Sequence, residues 1–282
     1  MENKALGFFI DNALREDIGD GDHTSAACIP RDAHGKARLL VKEEGVLAGT
    51  SVAPLVFHAL DPDASVSLVL QDGTWIRPGD VAFFVEGQIL ALLQAERTVL
   101  NIMQRMSGIA TATRRYTDKL KGLQTRILDT RKTTPGMRML EKEAVRIGGG
   151  VNHRMGLYDM ILIKDNHIDF AGGIREAIER SHRYLKDTGR NLKIEVEARS
   201  LEDVRIILAT GGVDRIMLDN FSPADTRKAV EIIGHTIETE SSGGITLETI
   251  REYAECGVDF ISVGALTHHI QSLDLSLDAI DF

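Results

Sequence analysis

From residue 126 onward the sequence repeats one texture six times: a short apolar run, a polar or glycine-rich turn, then an amphipathic stretch. The apolar runs at 126–131, 160–165, 193–198, 215–220, 237–241 and 260–263 predict strands, and the stretches at 174–185, 201–209, 223–233 and 247–256 predict helices. Strands apolar on both faces and alternating with helices belong to a parallel sheet covered on both sides. Such a sheet closes as a barrel or stays open and doubly wound, and the polar residues decide between the two. Asp129, Arg131 and Lys132, then Lys164, Asp165 and His167, Glu195 and Glu197, Asp219 and Asn220, 241–244 and 262–264 all fall at or just beyond the C-terminal ends of the six strands. Barrel enzymes carry their sites there. An open sheet has one crevice at its switch point and does not easily bring six strand ends together. The expected fold class is therefore α/β, with an incomplete β/α barrel.

The chain before residue 126 has a different texture. Leu6, Phe9, Ile10, Ala13 and Leu14 share one face at helical spacing. Short apolar runs at 37–41, 66–70 and 81–85, punctuated by Glu44-Gly45, Asp72-Gly73 and Pro78-Gly79-Asp80, predict a small antiparallel sheet. A long helical pattern over 89–121 follows, with a break expected at Ser107-Gly108, a natural junction. The acidic turn at 17–23 reads as a cap on the first helix rather than a calcium loop, since no glutamate follows at the required spacing.

A length of 282 residues admits one large barrel or two domains. Lys and Arg number 33 against 42 Asp and Glu, a net charge of −9, which argues against a general nucleic-acid or anionic-membrane partner. Any anion site must be local. Cys28 and Cys256 are far apart and form neither a disulfide framework nor a zinc or redox motif, which fits a reducing cytoplasm. The apolar run at 5–10 lacks the features of a secretory signal, and no run approaches the roughly 18 apolar residues needed to span a bilayer.

Three constellations carry chemistry. Between 126 and 164 there are eight Lys or Arg against four acids, a local balance of +4. Arg138, Lys142 and Arg146 read as the solvated face of a helix. Arg131, Lys132 and Lys164 sit at strand ends, and Asn152-His153-Arg154 follows a triple-glycine turn at 148–150. Convergent Arg, Lys and His suit a polyanionic small molecule. A second constellation is glycine-rich: 241–245, expected to run straight into a helix, and 262–265 each end a strand where backbone N–H groups can meet a phosphate. The third is acidic. Glu195 and Glu197 alternate on one strand and Asp219 ends the next, a cluster that calls for a hard cation such as Mg²⁺ or for pairing with the nearby Arg and Lys, the second being at least as good a reading for Glu195. His167 serves equally as a catalytic group or as a loop-holding one. His268 and His269 lack a third metal ligand at suitable spacing, and dinucleotide, P-loop and H-E-x-x-H motifs are absent.

The motifs Asp129-Thr-Arg-Lys-Thr-Thr-Pro-Gly-Met-Arg138, Gly148-Gly-Gly-Val-Asn-His-Arg154 and Leu162-Ile-Lys-Asp-Asn-His167 together resemble those of the quinolinate phosphoribosyltransferase family. The resemblance also takes in Glu96-Arg-Thr-Val-Leu-Asn101, Ser107-Gly-Ile-Ala-Thr111, Glu195-Val-Glu197, Leu218-Asp-Asn220, Glu240-Ser-Ser-Gly-Gly244 and Ser262-Val-Gly-Ala-Leu-Thr-His268, nearly the whole chain in order. It implies an N-terminal α/β sandwich domain, expected over 1–107, a barrel over 108–270, and a tail over 271–282 returning to the first domain. It implies a homodimer with shared active sites, or a larger assembly built on it, with Arg97 donated across the interface. Thr130, Arg131, Lys132, His153, Arg154 and Lys164 would bind quinolinate and diphosphate, with Lys164, His153 and Arg131 closest to the chemistry. Glu197 and Asp219 would contact the ribose hydroxyls and Mg²⁺, and Ser242, Gly243, Gly244, Ser262, Val263 and Gly264 would hold the 5′-phosphate of phosphoribosyl pyrophosphate. Two rivals of similar architecture are a molybdenum-transport-associated protein and nicotinate phosphoribosyltransferase, against which the dense basic set favours a dicarboxylate. A non-enzymatic phosphosugar-binding barrel would leave Glu197 and Asp219 without evident purpose.

Overall fold

The computed structural model describes residues 3–280. Its elements in chain order are α1 (Asn3–Ile18), α2 (His23–Cys28), β1 (His34–Val41), β2 (Gly45–Val46), α3 (Ala53–Leu60), β3 (Ser65–Leu68), β4 (Trp75–Ile76), β5 (Val81–Gln88) and α4 (Ile89–Lys119). There follow β6 (Arg126–Leu128), α5 (Arg138–Ile147), β7 (Ile161–Ile163), α6 (Asp165–Ala171), α7 (Ile174–Thr188), β8 (Ile194–Ala198), α8 (Leu201–Thr210), β9 (Arg215–Asp219), α9 (Pro223–Ile233), β10 (Glu238–Ser242), α10 (Ile250–Ala254), β11 (Phe260–Ser262), α11 (Ala265–His268) and β12 (Leu275–Ile280). They form two compact units: the chain up to Arg114 with Thr133–Gly149 and the residues from Thr267 on, and Arg115–Lys132 with Gly150–Leu266. The segment carrying α5 thus falls within the first unit.

In the first unit an antiparallel sheet of order β12-β1-β5-β3 is joined by the small pair β2-β4. Alternation sets its faces: β1 buries Ala37, Leu39 and Val41 while the residues between them are more exposed. Phe83 of β5 meets Phe57 of α3 edge to face at 6.1 Å. The tail strand β12 pairs with β1 from Lys36↔Ile280 to Val41↔Leu275, and the last two residues of the expected tail lie outside the described residues. Asp22, in the acidic turn, caps α2 rather than α1, its carboxylate accepting from the Ser25 N–H at 2.9 Å.

Two expectations are corrected here. Helix α4 runs unbroken through Ser107-Gly108. Gly108 is there for close packing, since a Cβ on it would collide with the Gln271 carbonyl, and the Ser107 hydroxyl accepts from the Ala48 N–H at 3.0 Å. Nor is α5 the solvated basic face that its charges predict. Glu141 and Lys142 are both fully buried, and Glu141 accepts from Arg105 Nε of α4 at 2.7 Å and from the Thr134 N–H. Arg146 alone of the three fits the expectation, being exposed and paired with Glu143. Arg138 is half-buried and donates to Thr133 Oγ1.

The second unit holds all six expected strands in one parallel sheet of order β6-β11-β10-β9-β8-β7. The order is that of a β/α barrel left open between β6 and β7. At this seam Val151 bridges to Leu128 in parallel fashion, its N–H donating to the Ile127 carbonyl at 2.8 Å. Strand β8 is buried at all five positions and β9 at four of five, as strands covered on both faces must be. Among the described residues no helix is long and apolar enough to cross a membrane.

Candidate active site

The C-terminal end of the open barrel collects the polar strand-end residues. Asp129, just past β6, is fully buried, and its carboxylate accepts from the His153 N–H at 2.8 Å and from Asn152 Nδ2 at 2.5 Å. It thereby fixes the 150–154 segment against β6 across the seam. Thr130 turns the loop after Asp129, its hydroxyl accepting from the Lys132 N–H at 3.0 Å. Arg131 and Arg154 are half-buried and Lys132 is exposed. Burial and then the positive charge of Arg131 draw the Arg154 pKa down, against Glu195 and Asp159. Like-charged guanidinium groups held close enough to repel are suited to an anion that relieves the repulsion.

At the end of β7, Lys164 Nζ lies 3.3 Å from Glu197 Oε2, the ammonium half exposed and the carboxylate nearly buried. The Lys164 N–H donates to His167 Nδ1 at 2.9 Å, so His167 holds the turn into α6. Glu197 stands opposite Met217 in the β8–β9 register, which puts Asp219, two residues on, on the same face of the neighbouring strand. Asp219 Oδ2 accepts from Asn220 Nδ2 at 2.6 Å. Asn220 adopts φ 56° and its N–H donates to the Ser242 carbonyl at 2.8 Å. Gly243, at φ 96°, lies so close to Asn220 that a Cβ would collide with it, so the β9 and β10 ends interlock only with glycine at 243.

The glycine-rich run 241–245 does not enter a helix directly. A turn in which the Thr246 N–H donates to Thr249 Oγ1 intervenes, and α10 begins only at Ile250 and is five residues long. A helix dipole therefore adds nothing to Gly243 and Gly244. At the end of β11, Ser262 is buried, while the Val263 N–H donates to the Leu128 carbonyl at 3.0 Å. Gly264 then leads into α11.

Beneath this rim lies a charged interior. His153 Nε2 is 3.0 Å from Glu195 Oε2 and 3.5 Å from Glu240 Oε2. Arg215, at the start of β9, reaches Glu240 Oε2 at 3.2 Å and Glu238 Oε2 at 2.9 Å, and its guanidinium stacks over Phe260 at 4.0 Å. Glu195 and Glu240 are fully buried. Burial and the neighbouring Glu240 charge push Glu195 up to about 7, against the pull of His153 and Arg215. Glu240 goes the other way: burial opposes its charge, but the neighbouring His153 imidazole, Ser262 and the Arg215 charge hold it below the usual carboxylate range. Burial also opposes a charged His153, as does the Arg154 N–H that its Nδ1 accepts at 2.7 Å, yet the two carboxylates outweigh burial and raise the ring to about 9. The donor atoms of His153, Glu195 and Glu240 lie within 4.8 Å of one another, a metal-like spacing, but here imidazole and guanidinium already supply the compensating charge.

Arg97 lies exposed on α4, in the first unit. The sequence reading did not single out Glu240 and Arg215 as partners of the site. Their signal is the strand register, which sets Arg215 opposite Glu195 and Glu240 opposite Met217 on the same face of the sheet.

Two family models cover the chain: the N-terminal domain of quinolinate phosphoribosyl transferase over residues 22–107 and its C-terminal domain over residues 109–278. The chloroplastic nicotinate-nucleotide pyrophosphorylase [carboxylating] of Arabidopsis thaliana is 45% identical over 280 residues, 94% of this chain and 80% of that protein. A probable nicotinate-nucleotide pyrophosphorylase [carboxylating] of Bacillus subtilis is 44% identical, covering 99% of this chain and 94% of the relative. The crystal structure of NadC from Streptococcus pyogenes superposes with a TM-score of 0.93 at 37% identity, over 100% of this chain and 99% of that one. With both family domains matched in order and the strand-end residues described above on one open barrel, the chain belongs to the quinolinate phosphoribosyltransferase family.

Proposed function

We infer that this chain transfers the phosphoribosyl group of phosphoribosyl pyrophosphate to quinolinate with decarboxylation, giving nicotinate mononucleotide, diphosphate and carbon dioxide in NAD biosynthesis. The observation that carries this reading is the meeting, at one end of one parallel sheet, of a basic set (Arg131, Arg154, Lys164) with the acids Glu197 and Asp219 in a chain of net charge −9. Both substrates are polyanions, and local cations are what such a protein needs to hold them.

In the reaction the quinolinate nitrogen forms a bond to the ribose carbon as the bond to diphosphate breaks, the leaving oxygen keeping the electron pair. The ribose carries cationic character in between, so two anions must be held in line and the leaving charge neutralised. The N-ribosylated ring then loses its 2-carboxylate as carbon dioxide. The pair left on the ring carbon is stabilised by the ring cation and takes a proton. In this proposal Arg131, Lys132, His153, Arg154 and Lys164 bind the quinolinate carboxylates and diphosphate, with Thr130 shaping their loop. The proton comes from Lys164 or His153. Ser242, Gly243 and Gly244 of one loop and Ser262, Val263 and Gly264 of the next hold the 5′-phosphate.

Glu197 and Asp219 contact the ribose hydroxyls in this reading, and they offer hard oxygen donors on the same face of adjacent strands, which fits Mg²⁺. Bound there, Mg²⁺ would neutralise charge on the departing diphosphate. The assembly we propose is a homodimer in which Arg97 completes the partner subunit's site, in the cytoplasm, where Cys28 and Cys256 remain free thiols as they are here.

The test is to incubate the protein with phosphoribosyl pyrophosphate, Mg²⁺ and either quinolinate or nicotinate, and to measure product mass and released carbon dioxide. Nicotinate lacks the 2-carboxylate, and losing a charge-assisted contact of about 1.5–3 kcal/mol makes it a poor substrate. Equal use of the two acids would overturn the reading in favour of a monocarboxylate enzyme. Arg97→Ala and Lys164→Ala homodimers, each inactive, should on mixing, denaturation and refolding recover about a quarter of wild-type site activity, because half of the dimers are then mixed and each carries one intact site. No recovery, with mixed dimers confirmed by native mass, would place Arg97 outside the partner's site.

A further inference from the structure

In the proposed reaction Asp219 and the 242–244 loop hold neighbouring parts of one substrate, the ribose hydroxyls and the 5′-phosphate. Covalent geometry fixes the distance between those parts, so the two strand ends must be held at a matching spacing. Asn220 touches both ends. We propose that Asn220 is a positioning residue for phosphoribosyl pyrophosphate: its side-chain amide sets the direction of the Asp219 carboxylate, and its backbone ties the end of β9 to the phosphate loop. The inference rests on the reading of Asp219 and 242–244 as parts of that substrate's site.

Asp219 ends β9 half-buried, and the Asn220 amide meets its carboxylate at 2.6 Å. Among the described residues no other group donates to that carboxylate, whereas Glu197 is held by Lys164 Nζ at 3.3 Å. Left alone, a carboxylate turns about its side-chain bonds. Because an ionised carboxylate only accepts, the amide faces it with Nδ2, and Oδ1 lies against Gly243. Successive side chains along a strand leave opposite faces of the sheet, and the left-handed turn at Asn220, φ 56°, brings its amide back toward the residue before it. Asparagine is one of the few residues besides glycine that adopt this conformation readily. Its N–H meanwhile donates to the Ser242 carbonyl at 2.8 Å. One residue thus holds the carboxylate and the loop together, and supporting hydrogen bonds of this kind are what keep binding groups in their productive geometry.

The experiment measures KM for each substrate in Asn220→Gly and Asn220→Asp, with urea midpoints as a control on the fold. Asn220 is exposed, so its replacement disturbs no core. Asn220→Gly keeps the left-handed backbone and its N–H and removes only the amide. It is expected to raise KM for phosphoribosyl pyrophosphate about tenfold, with KM for quinolinate within about twofold of wild type and the midpoint little changed. Asn220→Asp is nearly isosteric and tolerates the same backbone, but it sets a second carboxylate against the first and raises KM for phosphoribosyl pyrophosphate at least as much. Ribose 5-phosphate, which carries the hydroxyls and the phosphate without diphosphate, should bind Asn220→Gly more weakly by a similar factor in calorimetry without added metal. An unchanged KM for phosphoribosyl pyrophosphate in Asn220→Gly, or an equal rise for both substrates, overturns the proposal. If Asn220→Gly does not fold, Asn220→Asp takes its place under the same criteria. Wild-type protein that fails to turn over quinolinate at all would sink the functional reading itself, a result distinct from active wild type with indifferent Asn220 variants.

Discussion

The second unit carries two sets of charges with opposite characters. At the rim Lys164 and Lys132 are exposed and Arg131 and Arg154 half-buried. In the interior His153, Glu195, Glu240 and Arg215 are buried and balanced against one another at 3.0 to 3.5 Å. The rim presents its cations where a ligand can reach them, whereas the interior neutralises itself. A charged residue near a strand therefore says little until its compensation is known: rim charges are available for binding, interior charges for holding a shape.

Breaking the interior should have the largest effect on stability. Arg215→Met leaves Glu195 and Glu240 facing each other without their guanidinium, and removing one partner of a buried network costs about 3–5 kcal/mol. Urea denaturation followed by circular dichroism measures it, and a loss below about 1 kcal/mol would show that the interior does not depend on that cation. The rim should behave in the reverse way. Arg131→Ala and Lys164→Ala are expected to keep the unfolding midpoint and to lower kcat/KM by about 100-fold or more, each having lost a charge-assisted contact to an anionic substrate. Wild-type turnover in either variant would reduce the basic cluster to a solvated face.

A finer test uses pH. His153 is raised from 6.5 to about 9 by its carboxylates, so its contribution to stability is complete below pH 6.5 and is lost as pH rises through about 9. Glu195, pushed up to about 7, acts in the same direction at lower pH, because the folded state resists its ionisation. The thermal midpoint should accordingly fall by a few degrees between pH 6.5 and 9, and calorimetry of His153→Gln should show a flatter profile. An equal slope in both would mean that another group titrates. The smallest effect belongs to Arg146→Ala on α5, an exposed pair with Glu143, which should change stability by less than about 0.5 kcal/mol and leave kinetics untouched.

Much of this molecule was legible in the residues. The period of two in β1 and the uninterrupted apolar runs of the six parallel strands distinguish the two sheets, and each predicted strand is present within a few residues. The strand-end cations were equally readable, since a barrel presents its C-terminal strand ends together whatever the details of its helices. Other features were hidden for identifiable reasons. Ser107-Gly108 predicts a break because glycine is a poor helix former, but the approach of Gln271, 163 positions later, is what calls for a glycine there. Lys142 predicts a solvated face because lysine is rarely buried, yet Lys142 is fully enclosed in the first unit. Gly243 and Gly244 predict a helix start that the turn at Thr246–Thr249 postpones.

The amino-acid sequence by itself determined the order of the elements, the parallel and antiparallel character of the two sheets, and the family, because periodicity and motif order are local properties that every stretch of chain carries with it. Only the tertiary structure decided that the barrel stays open between β6 and β7, that 133–149 packs with the first unit, and that Glu195 and Glu240 converge on His153 while Arg215 balances them. Those outcomes depend on which side chains meet across tens to hundreds of residues. Burial and charge compensation are properties of the meeting, and no single segment contains them.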